Sequence, residues 1–247
     1  MTFYAGTHTC WLAGLAIAGL GTAAIAQPAA DSGNQSQNRP DQTYIFSYLV
    51  LDEPEKLSEE EIADAMQGHF ANMGVMADAG DLLIAGPLAD PRIDQAYRGI
   101  FVFSTGDTEK GKALFNSDPS VKAGVYKPEM YTITCDEPLS ELTRLEQEYE
   151  QRRLDDPEIP DDWVGRMFIL AVGPGDATFI NNDAVLIDAT MDRVDDASDD
   201  AAPNQLLWLD ATSVDEAQSR FKPDDLSAWS FYGWYGSPCV AELRDIM

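Results

Sequence analysis

The chain has 247 residues, 45% of them hydrophobic, and its 43 acidic residues against 16 basic ones give a formal net charge of −27 at pH 7. This length is enough for one large domain or two small ones. The charge repels nucleic-acid backbones and anionic lipid, so we expect neither as a partner. The negative charge either keeps the protein soluble, which is the interpretation we favour, or attracts cations and basic partners.

Residues 1–26 have the pattern of an export signal. Residues 11–26 are apolar or small and uncharged, and they end in Ala24-Ile25-Ala26, a small-x-small sequence of the kind that signal peptidase accepts. The run is short for a membrane span, which needs about 20 apolar residues. We therefore expect a periplasmic or secreted protein with no membrane attachment once the signal is removed.

The segment 27–42 is polar and small, which is typical of a disordered linker. A strand follows at 43–51, where the sequence TYIFSYLVL is rich in aromatic and β-branched residues. Ser58 and Glu61 have the spacing of a capping box, so we predict a helix from there to about residue 79, stopped by Gly80.

The next elements complete one unit. Gly86-Pro87 closes a second strand, and Asp118-Pro119 follows a second helix. The order β-α-β-β-α-β is that of a ferredoxin-like unit, which we assign to a domain at 43–137. Its other predicted elements are strands at 82–85, 99–104 and 125–135 and a helix at 108–115.

The C-terminal half repeats this pattern in a degenerate form. Residues 100–118 of the first half align without a gap with the C-terminal half. The alignment places Leu206 with Ile100 and Asp224 with Asp118. A loop at 173–184 stands where the first half has its long helix, and a helical linker at 138–162 is expected to cover the sheet face left bare there. We predict a second, degenerate domain at 163–247, with strands at 166–172, 185–187, 205–209 and 229–239 and a helix at 214–221.

Cys135 and Cys239 each follow the last predicted strand of their half. An exported protein can oxidise such a pair, so a disulfide and two unpaired, partly buried thiols both fit the sequence. Their spacing is not that of a zinc site, and the acidic run at 192–200 lacks the glycine and glutamate of a calcium loop. The chain has no phosphate loop or dinucleotide fingerprint, so we expect no metal and no cofactor.

His69 is the histidine with a candidate role. At 100° per residue it lies near the centre of an apolar stripe on the first helix, so its side chain is expected to face the sheet. There it is either a buried structural group with one hydrogen bond or a general base beside a pocket. The stripe consists of Ile62, Met66, His69, Met73 and Met76.

Four short motifs in residues 43–135 together resemble the pattern of YCII-related domains. They are His69 on the first helix, Gly86-Pro87 at a strand end, Arg98-Gly99 entering the third strand, and Asp118-Pro119 followed by Ala123-Gly124. The resemblance implies ferredoxin-like units that pair as a dimeric α/β barrel, here as an internal pseudo-dimer or a homodimer. It also implies a His/Asp site, which on this chain is His69 and Asp118.

Most members of that family have no assigned reaction, and related members take part in the breakdown of chlorinated aromatic compounds. A carboxylate beside the imidazole would hold one ring N–H and raise the basicity of the other nitrogen. We therefore expect cofactor-free acid/base chemistry, an elimination or isomerisation, on a small carbonyl-bearing molecule. The alternative is a non-catalytic ligand- or protein-binding module, in which Asp118 only caps the turn after Phe115, with Pro119 at a first helical position, and His69 is structural.

Two departures from the family pattern bear on the enzyme hypothesis. Family members commonly have an aromatic residue after Asp-Pro, where this chain has Ser120. The second half keeps Asp224 but has no histidine, so at most one site per chain is expected.

Overall fold

The structure is a computed structural model that describes residues 42–156, 158, 165–175, 183–194 and 204–246. The predicted export signal, all but the last residue of the predicted disordered linker and the end of the helical linker lie outside the described residues. So does most of the acidic run at 192–200.

The first half follows the predicted order of elements. Ser58 and Glu61 form the expected capping box, with the Ser58 hydroxyl accepting from the Glu61 amide at 3.2 Å and the Glu61 carboxylate accepting from the Ser58 amide at 2.8 Å. Gly80, just after the helix, has a φ of 72°, which glycine adopts without strain. The elements are β1 Gln42–Leu51, a 3-10 turn Pro54–Lys56, α1 Glu59–Asp78, β2 Leu82–Pro87, β3 Tyr97–Phe103, α2 Thr108–Ser117, α3 Pro119–Lys122 and β4 Tyr126–Cys135.

The second half has the predicted four strands, with different lengths. β6 runs well past the predicted end at residue 187, because it continues alongside β4. β8 stops before Pro238, where a 3-10 helix begins, so the predicted strand to residue 239 is wrong at its end. The elements are a 3-10 turn Leu139–Glu141, α4 Leu142–Asp155, β5 Arg166–Gly173, β6 Val185–Arg193, β7 Gln205–Leu209, α5 Val214–Gln218, a 3-10 turn Leu226–Ala228, β8 Ser230–Gly236 and the 3-10 helix Pro238–Ile246.

The strands form one eight-stranded antiparallel sheet in the order β2-β3-β1-β4-β6-β7-β5-β8. In each half the order is second, third, first, fourth. The two edge strands approach each other, with Leu88 bridged to Trp234 and the Ala89 amide donating to the Gly233 carbonyl at 2.7 Å. The protein is thus a mixed α+β molecule whose sheet is a nearly closed barrel.

Alternation along the strands separates the barrel interior from its outer face. In β1, Tyr44, Phe46 and Tyr48 point inward into a hydrophobic cluster that receives side chains from all eight strands. Ile45 and Leu49 point outward to helices α1 and α2. The interior cluster therefore joins the two halves.

Helix α4 does not cover the outer face of the second half, so that prediction is wrong. Leu142 and Leu145 belong to the interior cluster, together with Val240 and Leu243 of the final 3-10 helix. The outer face of the second half is instead packed by residues around α5: Ala217, Phe221, Leu226 and Trp229.

Cys135 and Cys239 are buried and free in the structure. Burial, together with the nearby carboxylates Glu137 and Glu146, raises the pKa of each thiol to about 12. Both are therefore neutral thiols at physiological pH. In the described part of the chain, no helix combines the length and apolar character that a membrane crossing requires.

Candidate functional site

His69 lies on the inner side of α1 and is 4% exposed, as the helical stripe predicts. Its ring stacks on Phe101 of β3 with 5.7 Å between centroids and 17° between planes. Phe70 and Tyr126 approach the ring at 5.3 and 5.9 Å. Three aromatic side chains thus fix the imidazole plane on the outer face of the barrel.

The structure brings His69 and Asp118 together. The His69 Nδ1 and Asp118 Oδ2 atoms are 2.9 Å apart, although the residues are 49 positions apart in the sequence. The Asp118 side chain is fully buried, and 6% of the His69 side chain is exposed. Within the described residues, His69 Nε2 has no hydrogen-bond partner.

Gly68 makes this approach of α1 to α3 sterically feasible. A Cβ at position 68 would lie 2.8 Å from both the Cβ and the Cγ of Pro119, closer than real Cβ contacts. The glycine next to the histidine therefore permits the packing that brings the imidazole to the carboxylate.

The two carboxylate oxygens of Asp118 make different contacts. Oδ1 accepts from the Ser120 amide at 2.8 Å, which caps the N-terminus of α3 as predicted, with Pro119 in the first turn. Oδ2 faces His69. Capping and contact with the histidine are therefore compatible in one side chain.

The Asp118 carboxylate is held in its ionised form. Burial by itself raises the pKa of Asp118, but the hydrogen bond and charge of His69 and the two hydrogen bonds from Ser120 outweigh it, so the pKa is lowered. An ionised carboxylate accepts the Nδ1–H of His69 and leaves Nε2 as the basic nitrogen of the neutral ring.

Ser120 is a residue of this site that sequence reasoning missed. Its hydroxyl is fully buried, donates to Asp118 Oδ1 at 2.6 Å and lies 3.4 Å from His69 Nδ1. A hydroxyl two residues after a helix-capping aspartate is a local signal that could have found it. Ser120 thus adds a third polar group to the His69–Asp118 pair.

Tyr126 borders the site, with its ring 5.9 Å from that of His69. Burial raises the pKa of the Tyr126 phenol, and the charges of Arg98 and Arg92 only partly offset this, so the phenol stays neutral at physiological pH. Arg92 is committed elsewhere, since it donates to the Leu88 carbonyl at 3.1 Å and pairs with Asp90 at 3.0 Å.

The second half has no comparable site among its described residues. Asp224, which aligns with Asp118, is exposed. Ile100 and Leu206, which align as well, are both fully buried in the barrel interior. The two halves therefore correspond in their packing but not in their polar groups.

A second polar cluster lies inside the barrel and was also missed. Glu129 accepts hydrogen bonds from the phenols of Tyr97 at 2.8 Å and Tyr131 at 2.6 Å, and the Tyr48 ring packs 4.8 Å from the Tyr97 ring. Burial and the charge of Glu129 raise the pKa of both bonded phenols. These neutral phenols satisfy the carboxylate, so the cluster stabilises the barrel interior.

No group of three or more His, Cys, Asp or Glu side chains suited to a metal ion is found among the described residues. Comparison of the chain with known protein families, curated proteins and solved structures gives no match.

Proposed function

We propose that the protein is a YCII-like molecule of two tandem ferredoxin-like units that performs cofactor-free acid/base chemistry on a small carbonyl-bearing compound. The observation that carries the proposal is the buried 2.9 Å contact between His69 Nδ1 and Asp118 Oδ2, beside an Nε2 with no partner among the described residues. A histidine oriented by a carboxylate on one nitrogen, with its other nitrogen unbonded, is the usual arrangement of a general base.

The fold part of the proposal is supported by topology. Each half has the strand order second-third-first-fourth, and each half's fourth strand neighbours the other half's second strand. Two ferredoxin-like units joined edge to edge would produce this arrangement. The chain would then contain as an internal pseudo-dimer what the family builds from two subunits.

In the proposed reaction, neutral His69 accepts at Nε2 a proton from a carbon next to the substrate carbonyl. Asp118 keeps the Nδ1–H in place and stabilises the imidazolium that forms. The imidazolium then returns the proton to a second carbon in an isomerisation. In an elimination the electron pair left by the proton forms the C=C bond, and the leaving group departs with the electrons of its own bond and takes the proton from the imidazolium. Neither path needs an oxidant, a reductant or a metal.

The low exposure of the histidine favours a second candidate function. With 6% of its side chain exposed and its ring stacked on Phe101, His69 also fits a structural role in a non-catalytic binding module. We further propose that either activity is exercised outside the cytoplasm, because residues 1–26 have the pattern of an export signal.

Proton exchange tests the proposal without knowledge of the full reaction. The full-length protein is incubated in D2O with a panel of lactones and unsaturated ring ketones, and the loss of C–H signal next to the carbonyl is followed by NMR. We expect exchange with wild type to exceed that with His69→Asn by about 100-fold or more. Compounds that bind both proteins equally and exchange in neither would favour the binding module.

A further inference from the structure

Arg98 occupies a special position in the sheet. Leu49 of β1 pairs with Gly99 of β3, and the next residue of β1, Val50, pairs with Tyr97. Arg98 is therefore the extra residue of a β-bulge. Bulges release a side chain from the alternation of its strand and aim it in a new direction, often beside functional sites.

Arg98 is half-buried, and its guanidinium has neither a hydrogen bond nor an ion pair with any residue of the chain that the structure describes. Its neighbour Arg92, also half-buried, has a carbonyl and a carboxylate as partners. The chain has 43 acidic and 16 basic residues, so carboxylates that could pair with an arginine are plentiful. A half-buried arginine without one therefore indicates a site for an external anion.

The position of Arg98 connects it to the histidine site. Arg98 and Tyr126 flank the same part of β1, since Tyr126 of β4 pairs with Leu51 and Arg98 of β3 bulges opposite Leu49 and Val50. The charge of Arg98 accordingly acts to lower the pKa of the Tyr126 phenol. The Tyr126 ring lies 5.9 Å from the His69 ring. Arg98 is thus separated by one strand from a residue whose ring contacts the imidazole.

We propose that Arg98 binds a carboxylate of the molecule on which His69 acts, so that the substrate is a small carboxylic acid as well as a carbonyl compound. This inference rests on the proposed function for the site, but not on catalysis taking place. The planar guanidinium fork matches a carboxylate with two parallel hydrogen bonds. The strongly acidic surface disfavours ligands of higher negative charge, so a singly charged acid fits better than a phosphate ester.

Benzoate and benzamide test the inference, since they share a shape and differ in charge. The full-length protein, labelled with 13C in its histidine rings, is titrated with each, and the His69 signal is assigned with the His69→Asn variant. We expect benzoate to shift the His69 signal at millimolar concentrations, the range for one arginine–carboxylate pair, and benzamide to leave it unchanged.

Variants then identify the binding group. Arg98→Gln is expected to weaken benzoate binding at least tenfold, and Arg98→Lys less, because it keeps the charge without the fork. Lys122→Gln is the matched control: it removes one exposed positive charge on α3 and should change affinity less than twofold. Urea unfolding checks that each variant is folded.

The two proposals can fail separately. Equal binding of benzoate and benzamide, no benzoate binding at millimolar concentrations, or unchanged benzoate affinity in Arg98→Gln would overturn the role of Arg98. Arg98-dependent benzoate binding in the wild type, with no proton exchange there, would leave the role of Arg98 intact and overturn the proposed acid/base function alone.

Discussion

Asp118 is the residue on which the local structure of the site depends. One of its oxygens caps α3 and accepts from Ser120, and the other faces His69 of α1. Both contacts favour the ionised carboxylate and lower its pKa in spite of burial. The same side chain therefore links the stability of the first half to pH.

Replacing Asp118 by Asn tests this link. The pKa of Asp118 is lower in the folded state than the unfolded value of about 3.9, so its stabilisation is fully present above that value and is lost as the pH falls through the folded pKa. We expect Asp118→Asn to lower the free energy of unfolding by about 1–3 kcal/mol at neutral pH and by less at about pH 3. Urea unfolding of both proteins across this range measures the difference. A difference that stays constant with pH would contradict the account.

Ser120 contributes a smaller part of the same network. In Ser120→Ala the Asp118 carboxylate loses the 2.6 Å hydrogen bond from the hydroxyl but keeps the bond from the amide. We expect a loss of about 1 kcal/mol in unfolding free energy and a rise in the pKa of Asp118. A 13C NMR titration of the Asp118 carboxyl measures that pKa. An unchanged titration would show that the hydroxyl has no electrostatic effect on the carboxylate.

Some features of this site are predictable from the sequence and others are not. The burial of His69 was predictable, because a 3.6-residue period fixes which face of α1 packs on the sheet. The contact with Asp118 came from resemblance to a family. The hydrogen bond from Ser120 to Asp118 spans two residues and is open to local reasoning. The approach of Ser120 to His69 and the hydrogen bond of Tyr97 to Glu129 join distant parts of the chain, which no local periodicity encodes.

At the scale of elements, the packing of α1 on α3 determines whether the site exists. Local signals predicted the start and end of α1, since the capping box and Gly80 act within one turn. The tertiary role of Gly68 was not predictable, because a glycine inside a helix has the same local preference whether or not another helix lies against it.

Two glycines in α1 form a matched pair of tests. A Cβ at position 68 would lie 2.8 Å from two Pro119 atoms, whereas a Cβ at position 74 would meet nothing within 4 Å. We expect Gly68→Ala to destabilise the protein by about 1–3 kcal/mol by separating the helices, and Gly74→Ala to stabilise it by up to about 1 kcal/mol through helix propensity. Urea unfolding measures both. If both variants were stabilised, α1 would not be pressed against α3 at this point.

At the scale of the molecule, barrel closure depends on Gly86. A Cβ there would collide with the Tyr235 carbonyl oxygen and lie 2.7 Å from Trp234 Nε1, because β2 and β8 meet at this position. From the sequence, Gly86-Pro87 indicated only the end of a strand. The edge that this strand meets lies in the other half of the chain, about 150 residues away, so its identity follows from topology and not from local pattern.

Because the interior cluster takes side chains from all eight strands, neither half can unfold without exposing the other's core. We therefore expect one cooperative unfolding transition. The described tryptophans, Trp208, Trp229 and Trp234, all report on the second half by fluorescence, and the His69 NMR signal reports on the first. The urea midpoints of the two probes should coincide. Gly86→Ala should lower both midpoints together, because it reduces the unfolding free energy of the whole molecule by about 1–3 kcal/mol. Separate midpoints, or a variant that shifts only one probe, would mean that the halves are independent domains and that the shared interior does not couple them.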